Sequence, residues 1–203
     1  MYRITHISTG GKGMFEYIDR AIKMVWIKDL LIDYKNDFVF REDTLKNSFY
    51  HHLRNRLSDG FMIRNRIRIY TEYYLRKNQR ADIAIVKLKA KNLMDLEGYH
   101  LKNRVEQILA VIELKYKTSS CGVDPFLHDI RKIKYYIGLS SYRDCQFYLG
   151  FIHETVYSKE DASWLSRRQQ ESWANGRLTE LTAFIEDESG KMDMKVISYN
   201  KLN

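Results

Sequence analysis

Two acidic side chains and a lysine stand where this sequence predicts the ends of buried strands. The run 108–112 is wholly apolar and leads into Glu113 and Lys115, a pattern typical of a strand buried on both faces. Because side chains alternate along a strand, Glu113 and Lys115 share one face and Leu114 takes the other. A second apolar run, 83–86, is preceded by Asp82. Charged groups at such positions are costly unless they are paired or bind a metal.

Two carboxylates and an amine can hold a divalent cation beside a phosphodiester and activate a water molecule. Ordinary roles are open for the same residues. Glu113 and Lys115 could form an ion pair at a strand end. Asp82 could pair with Arg80 or Lys115. The pattern alone therefore indicates a candidate site rather than an activity.

Length and charge narrow the classes of protein to consider. A chain of 203 residues is long enough to bury a core and suits one domain. Its net charge of +8 favours an anionic partner such as nucleic acid or a membrane surface. Cys121 and Cys145 provide neither a disulfide framework nor metal-type spacing. The polar N-terminus and the lack of an uncharged apolar span lead us to expect a cytoplasmic protein with no membrane partner.

The elements ahead of the candidate strands are predicted from helical spacing. Apolar residues recur from Met14 to about Tyr34 and predict an amphipathic helix. A second helix opens at 41–44, and its buried stripe is Leu45, Phe49, Leu53 and Leu57. Glu42 lies three residues before Leu45, so we expect it to lean toward the core. Its simpler role is to stabilise the positive N-terminal end of that helix.

The segment 63–70 alternates between basic and apolar residues and predicts a strand with Arg64, Arg66 and Arg68 on one face. Residues 76–79 are predicted to form a hairpin turn, and residues 87–104 an insertion. Five elements are predicted after the Glu113 strand: a helix from Asp124, a strand at 145–152, a polar helix around 159–173, and strands at 178–185 and 191–198.

This order of elements, with these acids, resembles the core of the PD-(D/E)XK nuclease superfamily, which has the restriction-endonuclease-like fold. The resemblance covers residues 41–153. In that family an αβββαβ core carries an acid on its second strand, an acid-x-lysine on its third and often a glutamate on its first helix. Asp82, Glu113 with Lys115, and Glu42 match those positions. Ala81 replaces the family's proline, and the 31-residue step from Asp82 to Glu113 requires the insertion to loop out.

The resemblance implies an α/β fold with a central mixed sheet flanked by helices, an N-terminal helix, and a C-terminal helix with a β-hairpin. We expect a single domain. Its parts are an N-terminal helical extension (1–40), a catalytic core (41–153) and a C-terminal helix with strands (154–203).

The implied activity is hydrolysis of DNA phosphodiester bonds with Mg²⁺ or Mn²⁺, in restriction, repair or phage defence. Asp82, Glu113 and the Leu114 backbone carbonyl would bind the metal, and Glu42 a second ion or a metal-bound water. Lys115 would orient the attacking water or help to deprotonate it. A homodimer is a further expectation from the resemblance. A non-catalytic nucleic-acid-binding module and an RNA-cleaving enzyme remain alternatives.

The acid-x-lysine triplet is not specific by itself, because it also occurs at 33–35 and 193–195. Only the triplet at 113–115 ends a buried run and follows a strand that carries a second acid. For substrate contacts we expect Arg64, Arg66, Arg68 and Lys132 to line a phosphate groove. A solvated charged face is the alternative for these four residues.

Overall fold

The structure is a computed structural model that describes residues 11–76, 79–90, 104–156, 162–185 and 190–202. Within these residues, one mixed sheet has its strands in spatial order β1 to β6. The strands are β1 Ile67–Arg76, β2 Gln79–Leu88, β3 Val105–Thr118, β4 Gln146–Val156, β5 Leu178–Ile185 and β6 Met192–Ser198. Pairing is parallel for β3–β4 and β4–β5 and antiparallel elsewhere. The predicted α/β fold with a mixed central sheet is confirmed.

Helices flank this sheet. Helix α1, Gly11–Met24, runs through a π-helical stretch, Val25–Leu30, into α2, Leu31–Lys35, which confirms the predicted N-terminal helix. The others are α3 Glu42–Leu57, α4 Asp59–Arg64, α5 Asp124–Ile137 and α6 Arg167–Glu171, with a 3₁₀ turn at Ser140–Tyr142. No helix in the described part of the chain is long and apolar enough to cross a membrane.

The sheet separates two hydrophobic cores. On one face the π-helical stretch and α3 bury Trp26 and Phe49 in one cluster with Leu114. On the other face α5 buries Phe126 against Val111. Each such side chain contributes roughly 1.5–3 kcal/mol when it is withdrawn from water. Leu114 lies in the first core and Glu113 bonds to Lys132 of α5 on the other face, so the two side chains take opposite faces, as predicted.

The predicted strand at 63–70 is wrong in its first half. Ser58 has φ = 59°, which reverses the chain directly after α3. Its hydroxyl then accepts a hydrogen bond from the Phe61 backbone N–H and starts α4. Arg64 therefore ends a helix and Arg66 lies in a turn with φ = 57°. Of the three arginines only Arg68 lies on a strand, so the three do not share a strand face.

Other predicted elements lie partly outside the described residues. The strands on both sides of the predicted turn at 76–79 pair as a hairpin, but positions 77–78 are not described. The insertion predicted at 87–104 begins as the end of β2, and residues 91–103 are not described. The polar helix predicted around 159–173 is shorter, because only 167–171 are α-helical among its described residues.

Candidate active site

The predicted acids meet where β2 and β3 separate. The ladder between these strands ends at the pair Ile83–Ile112, so Asp82 and Glu113 are the next residues along each strand. Asp82 Oδ2 accepts a hydrogen bond of 2.7 Å from the Leu114 backbone N–H. The carboxylate thus takes the place of a strand partner and bridges the opening between the strands.

Glu113 is 1% exposed and is incompletely satisfied. Its Oε2 accepts a 2.8 Å hydrogen bond from Lys132 Nζ on α5. Its Oε1 is buried and has no hydrogen-bond partner among the described residues. Burial raises the pKa of Glu113 to about 8, with Lys132 opposing that shift and the charge of Asp82 adding to it. A carboxylate oxygen in this position gains from any cation that reaches it.

Lys115 lies between two acids from different helices. Its Nζ is 3.1 Å from Glu42 Oε1 on α3 and 3.3 Å from Asp129 Oδ2 on α5. Burial favours the neutral amine, but Asp129 and Glu42 outweigh it and raise the pKa of Lys115. Lys115 is therefore a protonated donor at neutral pH. The alternative of an ordinary surface pair between Glu113 and Lys115 is wrong, because each has a different partner.

Lys46 is a site residue that the sequence did not reveal. Its Nζ lies 3.0 Å from Asp82 Oδ1 and also bonds to Glu72 on β1. Burial lowers the pKa of Lys46, but the hydrogen bond to Glu72 and the charge of Asp82 outweigh it and raise the pKa. Lys46 follows Glu42 by four residues, so both side chains lie on one side of α3. That spacing was the available signal for Lys46.

Glu72 itself adopts φ = 51° inside a strand. Non-glycine residues in this region cost of order 1–3 kcal/mol and cluster at functional sites. Its partner Lys46 also holds Asp82, so the unusual backbone lies beside the candidate site.

Asp129 was missed for a different reason. The sequence suggested a solvated polar face, whereas Asp129 is 5% exposed. It lies three residues after Phe126 and four before Ile133, both of which are buried. An aspartate at that spacing belongs to the apolar stripe of a helix and requires a charged partner. Lys115 is that partner.

A glycine on β4 allows the Leu114 segment to take this position. A Cβ on Gly150 would lie 2.5 Å from Leu114 Cδ2 and 3.2 Å from the Trp26 ring. Any larger residue would therefore push against the Leu114 side chain, which lies on the strand that carries Glu113 and Lys115.

The predicted substrate contacts divide into two groups. Lys132 is at the site, bonded to Glu113. Arg66 lies at the other end of the β-sheet, where its carbonyl accepts a hydrogen bond from the Leu88 backbone N–H. Leu88 is six residues from Asp82 along β2, which is roughly 20 Å at the usual rise of a strand. Arg66 pairs there with Glu106 at 3.4 Å.

Arg68 also lies away from Asp82. It pairs in register with Val86, and its guanidinium donates to the Ile67 carbonyl at 2.6 Å. Arg64 ends α4 just before this region. Contact of Arg64, Arg66 and Arg68 with nucleic acid remains a prediction, now at a surface separate from the acids.

The oxygen atoms at the strand opening are suitable ligands for a hard cation that keeps several of its waters. Among the described residues no group of three or more His, Cys, Asp or Glu is arranged to hold a metal ion. Asp82, Glu113 and the Leu114 carbonyl instead provide oxygen ligands on one side only, which is how Mg²⁺ is usually bound. The backbone groups of a strand residue point to the same neighbouring strand. The Leu114 carbonyl therefore faces the side where Asp82 receives the Leu114 N–H.

The two other acid-x-lysine triplets have local partners. Asp33, within α2, bonds to Ser48 and to His52. Asp193 pairs with Lys195 at 3.0 Å on β6. The triplet at 113–115 differs in lying beside a second acid, Asp82, at the end of the β2–β3 ladder, and its role as the site stays a prediction.

Comparison with protein-family models, with curated proteins and with solved structures finds no match to this chain.

Proposed function

We propose that this protein is a metal-dependent nuclease of the PD-(D/E)XK type that hydrolyses phosphodiester bonds in DNA. The observation that carries the proposal is the convergence of Glu42, Asp82, Glu113 and Lys115 from α3, β2 and β3 on one opening in the sheet. The buried oxygen of Glu113 that lacks a donor supports a cation at the same point.

In this proposal Asp82, Glu113 and the Leu114 carbonyl hold Mg²⁺ or Mn²⁺. The bound ion would supply Lewis-acid stabilisation of charge on the phosphate and lower the pKa of a water. Lys132, which bonds to Glu113 Oε2, shares the charge of that carboxylate. Glu42 positions Lys115 and contributes negative charge at the edge of the site.

Lys115 acts as a cation and donor rather than as the resting base. Its raised pKa keeps it protonated at neutral pH, because Asp129 and Glu42 both stabilise the ammonium. A protonated amine can donate a hydrogen bond to the oxygen of the attacking water and so orient it. It can also offset charge on the phosphate oxygens. Of the two roles expected for Lys115, orientation of the water is the better supported.

The test is incubation of purified protein with plasmid DNA, linear duplex DNA, single-stranded DNA and RNA. Each substrate is treated with Mg²⁺, with Mn²⁺ and with EDTA. We expect cleavage of DNA that requires the metal and is lost in EDTA. Cleavage of RNA alone would favour the RNA-cleaving alternative, and no cleavage of any substrate would contradict the proposal.

A non-catalytic nucleic-acid-binding module is the second candidate. The observation that favours it is that both oxygens of Asp82 already have protein donors, Lys46 and the Leu114 N–H. Lysine partners would then replace a metal as the charges that stabilise the acids. This candidate predicts binding of DNA that is equal in Mg²⁺ and in EDTA, with no cleavage in either.

A further inference from the structure

A basic groove opens beside the candidate site, between the start of β2 and the outer side of α5. Its volume is about 500 Å³, within the range of roughly 300–1,000 Å³ that is usual for ligand sites. It is lined by Gln79, Arg80, His128, Arg131, Lys132 and Tyr135. No carboxylate is among the described residues that line it.

The groove is joined to the site by one side chain. Lys132 Nζ donates to the Arg80 carbonyl at 2.6 Å and to Glu113 Oε2 at 2.8 Å. Lys132 is thus both part of the groove lining and the partner of the buried acid. A molecule in the groove lies one lysine away from Glu113.

The two arginines of the groove are exposed. The Arg80 side chain is 52% exposed; its guanidinium pairs with Glu72 at 3.5 Å and lies over the Tyr74 ring, 5.5 Å from its centre. Arg131 is exposed and has no ion-pair partner among the described residues. Because surface pairs at such distances are weak, both guanidiniums are available to an anion.

An aromatic ring completes the groove. Tyr135 is 47% exposed, and its hydroxyl accepts a hydrogen bond from Arg76. The Arg76 guanidinium also lies over the ring, 5.9 Å from its centre. Arginines beside an exposed aromatic ring are the combination that follows a nucleic-acid strand, through phosphate contacts and stacking.

We propose that this groove binds the nucleic-acid strand next to the cleaved phosphodiester, with Arg80 and Arg131 on phosphate oxygens and Tyr135 against the adjoining base. The inference rests on the proposed nuclease function for the identity of the strand. It places the substrate along β2 and α5, and not along the surface of Arg64, Arg66 and Arg68. Stacking on a side chain requires an exposed base face, so unpaired DNA is the favoured ligand.

Binding in EDTA tests the groove without any need for cleavage. Fluorescence anisotropy is measured with labelled single-stranded and duplex DNA of equal length. The groove variant is the double substitution Arg80→Ala and Arg131→Ala. Its matched control is Arg20→Ala with Arg168→Ala, which removes two exposed arginine charges on α1 and α6, away from the groove lining. Thermal melting verifies that both are folded, and Arg131→Ala alone replaces the double variant if that one is not.

We expect the groove variant to bind single-stranded DNA about tenfold or more weakly, with a salt slope that is shallower by roughly 0.7 for each lost phosphate contact. Tyr135→Ala should weaken binding of single strands more than binding of duplex. The control should bind like the unmodified protein. Equal losses in the two double variants, or no loss in the groove variant, would overturn the inference. Equally effective displacement of the strand by a mononucleotide would overturn it too.

The two proposals can fail separately. If the groove variant loses binding and the unmodified protein cleaves no DNA in Mg²⁺, the groove stands and the nuclease proposal fails. If the unmodified protein cleaves and the groove variant binds and cleaves normally, the groove fails and the nuclease proposal stands.

Discussion

Glu113 and Glu180 are both buried in the same sheet, but their surroundings differ. Glu180 on β5 is fully buried, and its Oε1 accepts hydrogen bonds from the hydroxyls of Ser163 at 2.8 Å and Tyr199 at 2.7 Å. Its Oε2 accepts the Trp164 backbone N–H at 2.7 Å. Glu113 instead has one lysine and one oxygen without a donor among the described residues.

Burial raises the pKa of both residues, so burial alone does not mark a functional acid. The difference lies in the partners. Glu180 is satisfied by neutral donors and fastens the segment 163–165 to the sheet. Glu113 is left with unmet acceptor capacity beside a second acid, Asp82. Incomplete satisfaction, combined with nearby charge, is what distinguishes the candidate site.

The largest expected effect is on cleavage. Lys115→Met should lower the cleavage rate by about 10²–10⁴-fold, the range that removal of one proton-handling or charge-stabilising group typically gives. The matched control is Lys195→Met, because Lys195 belongs to another acid-x-lysine triplet and pairs with Asp193. Initial rates on plasmid DNA in Mg²⁺ measure both. Equal rates in the two variants would remove Lys115 from the site.

A second effect concerns stability and pH in the metal-free protein. The pKa of Glu113 is raised from about 4.5 to about 8, so the folded state binds its proton more tightly than the unfolded state does. The contribution of Glu113 to the free energy of unfolding is therefore fully present below pH 4.5 and is lost as the pH rises toward 8. The loss is a few kcal/mol at most. The amide introduced by Glu113→Gln does not titrate. The free energy of unfolding of this variant, minus that of the unmodified protein, should therefore increase from pH 5 to pH 8.

Urea unfolding in EDTA at three pH values measures this difference. Titrations of groups that do not interact with Glu113 are common to the two proteins and cancel in the subtraction. If the free energies of unfolding of the two proteins change equally with pH, folding does not raise the pKa of Glu113.

The same substitution at Glu180 should lower stability, because the Glu180 carboxylate has a donor at each oxygen. In Glu180→Gln one acceptor oxygen is replaced by an amide NH₂ group, which is itself a donor. This group faces a donor that the carboxylate oxygen had satisfied, so at least one buried hydrogen bond is lost. The expected loss of stability is about 1–3 kcal/mol. Glu171→Gln is the control, because Glu171 is exposed on α6. A stabilised Glu180→Gln would make the two glutamates equivalent and break the comparison.

A smaller effect tests the strand beneath Glu113. Gly150→Ala places a methyl 2.5 Å from Leu114 Cδ2, and such overpacking typically costs about 1–3 kcal/mol. Cleavage should fall as well, because Leu114 lies between Glu113 and Lys115. Gly122→Ala is the control, since a Cβ there meets nothing within 4 Å. The melting temperature and the initial cleavage rate are measured for both variants. If Gly150→Ala leaves both quantities unchanged, the Leu114 strand does not depend on Gly150.

Sequence alone predicted the parts of the site that depend on local pattern. The apolar run before Glu113 indicated its strand and face, and the acids at 41–44 marked the start of α3. Lys46 and Asp129 escaped because their partners, Asp82 and Lys115, are distant in sequence, and a lysine or aspartate on a helix is usually solvated. Arg64 and Arg66 were placed on a strand because basic and apolar residues alternate over 63–70. That pattern gives no sign of the change in chain direction at Ser58 that starts α4.

The most direct test compares cleavage of plasmid and single-stranded DNA by the unmodified protein, Glu113→Gln and Glu180→Gln, prepared in parallel and assayed with Mg²⁺ and with EDTA. We expect the unmodified protein and Glu180→Gln to cleave only with the metal, and Glu113→Gln, although folded, not to cleave. Cleavage by Glu113→Gln at the unmodified rate would contradict this expectation, as would the absence of cleavage by the unmodified protein.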